Sequence, residues 1–199
     1  MNARERFRNA FTNAPVDRPY LPPEGAWAAA LARWRTEGMT DESDLAFDGS
    51  ETCAVKDFLP PFAERVVADE GDKLVMWAAN GQLIRTWKTP REHDPGVQYL
   101  RFPVTDRASW LTARERLDPD HPDHLGPDWP ARAKRLRESD TPVRFDAGHS
   151  LSVFGFARDL VGDPLYTWFY DEPGLIREIM DFLADRFARL LDRVAPDVP

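Results

Sequence analysis

The run Asp146-Ala-Gly148-His149-Ser150 follows a strand-like stretch over residues 141–147 and places an imidazole just beyond a carboxylate. Histidine titrates near neutrality, so His149 can shuttle a proton while Asp146 orients its ring. The competing reading is that His149 or Ser150 simply begins the next helix. A second junction, Pro22-Pro-Glu24-Gly25-Ala-Trp27, offers Glu24 as acid, base or metal ligand and Trp27 as a platform for substrate. An acid there can equally stabilise a helix N-terminus, and a tryptophan is a core residue first. Arg158 provides a guanidinium for a substrate carboxylate, or pairs with Asp159 or Asp163 to fix a helix end. His93 and His121-Pro-Asp-His124 lie in polar stretches, and the latter pair lacks a third ligand at metal-binding spacing, so both read as solvated. Cys53 is the only cysteine. It cannot build a disulfide framework or a cysteine-based metal cluster, and it reads as a spectator thiol. Neither a metal nor a cofactor is expected.

The elements that would position these groups follow from periodicity and punctuation. Residues 2–13 carry Phe7, Ala10 and Phe11 on one helical stripe closed by Pro15, and residues 26–37 carry Trp27, Leu31 and Trp34 before a capping Gly38. Residues 39–55 read as polar loop. Alternation over 62–68, 73–78 and 82–88, with Asn80-Gly81 between the last two, predicts antiparallel strands joined by a tight turn and one buried face. Residues 98–102 read as an extended segment. Thr105 or Asp106 can cap a helix running to Leu117, with Trp110 and Leu117 facing inward. Helices follow over 129–139, 151–161 and 175–194. The last has Leu175, Ile179, Phe182, Leu183, Phe187, Leu190, Leu191 and Val194 on its apolar face.

With 199 residues the chain suits one domain, and its 42% hydrophobic and 30% charged content is that of a globular protein. A net charge of -8, from 26 Lys+Arg against 34 Asp+Glu, argues against a nucleic-acid partner, which needs a basic face. No apolar run approaches the ~20 residues of a membrane span. The charged N-terminus lacks a signal-peptide core, so the expected location is the cytoplasm and no membrane partner is expected.

Arg-Glu-Arg-Phe-Arg-Asn-Ala-Phe over 4–11, followed by Pro15-Val-Asp-Arg18-Pro19, resembles the opening of uroporphyrinogen decarboxylase-like proteins. Ser152-Val-Phe-Gly-Phe-Ala-Arg158-Asp-Leu-Val-Gly162, then Phe169-Tyr-Asp-Glu-Pro173 and a long helix, is similar to a later part of the same superfamily. The resemblance implies a single uroporphyrinogen decarboxylase-like domain over 1–199. Its fold would be α/β: a partial TIM (β/α) barrel with an N-terminal helix and an added antiparallel β-hairpin. It implies decarboxylation of a carboxylated tetrapyrrole or similar small molecule, as in porphyrin biosynthesis. Corrinoid-linked methyl transfer is the alternative chemistry, and a non-catalytic truncated paralogue or half of a split barrel is the other reading. Catalytic His149, Asp146 and Glu24 and substrate-binding Arg158, Arg18 and Trp27 are the candidate residues under it. Family decarboxylases hold substrate carboxylates with an Arg-x-x-x-Arg motif after the first strand; Pro22 and Ala26 occupy those positions here, and Phe156 stands where a tyrosine is found. The end Ala195-Pro-Asp-Val-Pro199 reads as the start of a further strand, so the barrel is expected to be C-terminally truncated. An unpaired sheet edge would then favour a homodimer or a complementary C-terminal half.

Overall fold

A computed structural model describes residues 1–22, 26, 28–41, 47–89, 96–146 and 152–198. The chain divides into two compact units: residues 1–53, 130–145 and 197–199 form the first, and residues 54–129 and 146–196 the second.

In the first unit, helix α1 (Ala3–Phe11) begins in a reciprocal cap. Asn2 accepts from the Glu5 N–H at 2.8 Å, and the Glu5 carboxylate accepts from the Asn2 N–H at 3.0 Å. The burial of α1 inverts the expected stripe: Phe7 and Phe11 are exposed while Arg6 is buried. The reason is electrostatic. Arg6 donates to both Asp17 oxygens at 2.8 Å and to Asp48, and Arg18 grips Asp48 bidentately at 2.9 and 3.0 Å. Asp48 also accepts from the Leu21 N–H. A buried carboxylate with that many donors outcompetes an apolar stripe for the inner face. Helix α2 (Ala28–Thr36) buries no residue and ends at Gly38, whose φ of +112° only glycine adopts readily.

Strand β1 (Glu51–Ala54) forms where the sequence reads as loop. It pairs with the strand Val143–Asp146, which is β6 in chain order, through Glu51 N–H to Pro142 C=O and Val55 N–H to Asp146 C=O, both 3.0 Å. The rising numbers on both sides make the pair parallel. Cys53 on β1 is fully buried, and burial pushes its thiol pKa up against the opposing effect of Arg132.

The second unit holds a four-stranded antiparallel meander in the order β2 (Arg65–Asp69), β3 (Lys73–Trp77), β4 (Leu83–Trp87), β5 (Gln98–Arg101). The β3–β4 turn shows why Asn80-Gly81 is needed. Ala78 N–H bonds Gln82 C=O at 2.8 Å, Gly81 N–H bonds Ala78 C=O at 2.9 Å, and Gly81 takes a φ of +81°. This is a three-residue loop closed by a left-handed glycine. The sheet is less buried than the alternation suggests: only Val75 among its strand residues is buried, and β2 is exposed throughout.

Helices α3 (Arg107–Glu115), α5 (Val153–Val161), α6 (Leu165–Asp171) and α7 (Pro173–Val194) supply the core of this unit, with Trp110, Leu117, Leu160, Leu165 and Ile179 at its centre. Asp106 caps α3 and Ser152 caps α5, as polar side chains before an apolar run should. Helix α4 (Trp129–Glu138) and a 3-10 turn at Pro122–His124 complete the described elements. On α7 the buried stripe holds Arg186 among leucines and isoleucines, and Phe187 and Leu191 stay more than a third exposed.

A partial (β/α) barrel therefore does not form. Among the described residues the sole parallel pairing is β1 with β6, and the remaining strands are antiparallel. Parallel neighbours need a crossover of a dozen or more residues, whereas the links β2–β3 and β3–β4 are short turns, which force antiparallel order. Strand β6, expected as an inner barrel strand, is only half-buried with Arg144 exposed, unlike a strand covered on both faces. The expected hairpin is the centre of the meander rather than an addition to a barrel.

Candidate functional site

The site residues read from the sequence do not assemble into one site. Glu24, Trp27 and His149 lie outside the described residues. Arg18 belongs to the first unit and is held by Asp48. In the second unit Asp146 ends β6, its carbonyl bonded to Val55, and Arg158 projects from α5 with its side chain 57% exposed and Asp159 at 3.5 Å. Among the described residues, no group of three or more His, Cys, Asp or Glu side chains is placed to hold a metal. His124 is not solvated as its sequence context suggests: it is 1% exposed, with its ring nitrogens 2.6 Å from Lys56 C=O and 2.7 Å from Asp118 C=O. Burial lowers its pKa, and the charges of Arg186 and Arg193 act in the same direction against the two carbonyls.

The meander itself builds the better site. Its register aligns Arg65 with Trp77, Trp77 with Leu83, and Leu83 with Arg101. Directly paired residues share a face, so one row across four strands carries arginine, tryptophan, leucine and arginine on the same side. Three strand spacings of ~4.8 Å put the two arginine backbones about 14 Å apart, within reach of a shared ligand for two long side chains. Both arginines line a cleft of about 420 Å³ with Trp77, Phe62, Phe102 and Ser109. The Arg101 guanidinium lies 6.0 Å from the centre of the Trp77 ring, at the outer range of a cation–π contact.

Among the described residues these two arginines have no paired acid, unlike several other cations of the unit. Elsewhere on the same unit Arg85 pairs with Glu70, Lys88 with Asp69, Arg107 and Arg114 with Glu178, and Arg189 with Asp120 and Asp185. Among the described residues neither Arg65 nor Arg101 has an ion pair or a side-chain hydrogen bond. The nearby Asp106 is occupied in capping α3. Its carboxyl is held below the usual range first by the Ser109 N–H and hydroxyl, with a smaller effect of Arg101. Two guanidinium groups, each a rigid fork of donors, beside an aromatic face can bind a planar molecule that carries an oxyanion.

No family model matches the chain, and no curated protein or solved structure matches it.

Sequence reasoning missed Arg65 and Arg101 because they are far apart in the chain and share no motif. The signal that could have found them is register. With 62–68, 73–78, 82–88 and 98–102 taken as a continuous meander, the Asn80-Gly81 turn fixes Trp77 opposite Leu83, and the two arginines then fall at the ends of that row.

A second cleft, about 780 Å³, opens in this unit next to the other side of the sheet, with Ile84 and Tyr99 from the strands and Val55, Phe58 and Leu59 from the preceding segment. It is larger, and its charged rim residues carry opposite signs.

Proposed function

We propose that the chain binds a small planar molecule bearing one or two carboxylates, held on the sheet by Arg65 and Arg101 with its ring against Trp77. The observation that carries this reading is the pair of arginines without acidic partners, flanking a tryptophan in one cross-strand row of a chain whose net charge is -8. Where Arg85, Lys88, Arg107, Arg114 and Arg189 of the same unit are neutralised internally, an oxyanion supplied from outside completes these two.

The resemblance of residues 4–11, 15–19 and 152–162 to uroporphyrinogen decarboxylase-like proteins supports the same ligand class, a carboxylated small molecule and a decarboxylation as the inherited chemistry. The size of the cleft narrows that class. About 420 Å³ accommodates one or two fused rings with short substituents, not a four-ring macrocycle with eight carboxylates. The site for those carboxylates is then not the family's Arg-x-x-x-Arg position, filled here by Pro22 and Ala26, but a pair on the meander.

Titration with 2-naphthoate, followed by tryptophan fluorescence, tests this. Saturable quenching is expected, absent with uncharged 2-naphthalenemethanol, and Arg65→Gln or Arg101→Gln should each weaken binding about tenfold, the worth of one charge-assisted contact. Equal binding of the alcohol, or unchanged affinity in both variants, removes the proposal. Release of CO2 from a bound aromatic carboxylate, assayed separately, tests the chemical step.

A further inference from the structure

We infer that the larger cleft of the second unit is a separate site for an amino-acid-type zwitterion with a large apolar side chain. Its floor is apolar and fixed: Val55, Phe58 and Leu59 are each no more than 8% exposed, and Ile84 closes it from the sheet. The charges on its lining are distinctive. Asp57 is compensated by Arg186 at 3.9 Å. That leaves Lys56 and Glu64, one cation and one anion, which form no ion pair with each other or with any other described residue. A ligand with only a carboxylate leaves Glu64 uncompensated beside it, and a ligand with only an ammonium does the same to Lys56. A zwitterion satisfies both, and the apolar floor takes its side chain.

The wall that presents Lys56 is tied down through its carbonyls. Arg186, 1% exposed, directs its guanidinium at the carbonyls of Leu117, Lys56 and Asp57, and the His124 ring meets the Lys56 carbonyl from another direction. On the hairpin side Gln82, 4% exposed, donates to Asp159 C=O at 2.8 Å and accepts from Asn80 at 2.9 Å. Buried donors thus anchor the backbone on two sides of the cleft, and Lys56 and Glu64 stand on its lining without an ion pair to any described residue. A site anchored in this way loses little freedom on binding.

The inference is independent of the Arg65–Arg101 cleft, and an aliphatic probe keeps the two apart. Amide chemical shifts of the full chain are followed during titration with L-leucine, with 4-methylpentanoate, which lacks the ammonium, and with isoamylamine, which lacks the carboxylate. Leucine is expected to shift Phe58, Leu59 and Ile84 and to bind at least fivefold more tightly than either analogue. Lys56→Gln should reduce leucine to the affinity of isoamylamine, Glu64→Gln to that of 4-methylpentanoate, and the Arg65→Gln/Arg101→Gln double variant should leave it unchanged. An analogue binding as tightly as leucine, leucine affinity indifferent to both rim variants, or no shifts at the cleft overturns the inference.

Discussion

Two arginine pairs sit in this chain in opposite states. Arg6 and Arg18, in the first unit, converge on Asp48, which is 4% exposed, and Arg6 also grips Asp17. Arg65 and Arg101, in the second, flank Trp77 with no acid bound among the described residues. The first pair closes a network and holds the N-terminal segment in place. The second leaves its donors directed at a cleft. The contrast teaches that an arginine in a promising motif is not the one to trust for binding. Arg18 sits in the family-like Pro-Val-Asp-Arg-Pro run and is consumed by the fold, while Arg65 and Arg101 sit in no motif and remain available.

Removing Asp48 should break this contrast most severely. Asp48→Ala leaves Arg18 without its carboxylate and Arg6 with Asp17 alone, and a loss of about 3 kcal/mol of stability is expected in urea denaturation, as for other broken buried pairs. Neutralising the sheet arginines should have the opposite profile: Arg65→Gln and Arg101→Gln are exposed changes, expected to alter stability by less than about 0.5 kcal/mol while weakening naphthoate binding. If both pairs proved equally costly to remove, the distinction between committed and free cations would fall.

Acidification sharpens the comparison more gently, because the two units should respond in different windows. Asp17 and Asp48 have carboxyls held below the usual range. For Asp17 the Arg6 hydrogen bond leads, and for Asp48 the Leu21 N–H and both arginines outweigh burial. A depressed folded-state pKa contributes stability above the unfolded value, near ~4, that is lost as pH falls through the folded one. In the second unit burial depresses His124 below its ordinary 6.5, so the unfolded chain takes up that proton first and stability declines as pH drops below about 6.5. Urea midpoints measured from pH 8 to 3 should show both steps. His124→Asn should abolish the upper one alone, and persistence of that step in the variant would assign it elsewhere.

Local punctuation was largely legible in the sequence. Asn80-Gly81 specified its turn, Asp106 was one of two residues read as the cap of its helix, and the apolar stripe from Leu175 marked the long helix, because each depends on neighbours within a few positions, whereas the cap at Ser152 went unread. What was not legible depends on distant partners. The inward turn of Arg6 in place of Phe7 requires Asp48, more than forty residues away, and the buried Arg186 requires carbonyls of a loop far upstream. Strand β1 was read as loop because Glu51-Thr-Cys-Ala carries no clear alternation, and only pairing with β6 makes it a strand. The barrel expectation failed on the same point. Family-like segments fixed helices locally but said nothing of whether the strands between them run parallel. The binding arginines were hidden in register, which is a property of pairs of strands rather than of any one.

The sole cysteine gives the chain an internal clock. Cys53 is fully enclosed on β1 and its thiol is held in the protonated, unreactive form by burial. A maleimide can reach it only when the surrounding structure opens, so the rate of alkylation under native conditions counts those openings without any added probe. A loss of about 3 kcal/mol at Asp48 corresponds to roughly a hundredfold faster labelling if the same opening exposes both residues. Ligands on the sheet of the other unit should leave that rate untouched unless the two units open together. One thiol thereby reports whether the protein unfolds as a single cooperative body or as two.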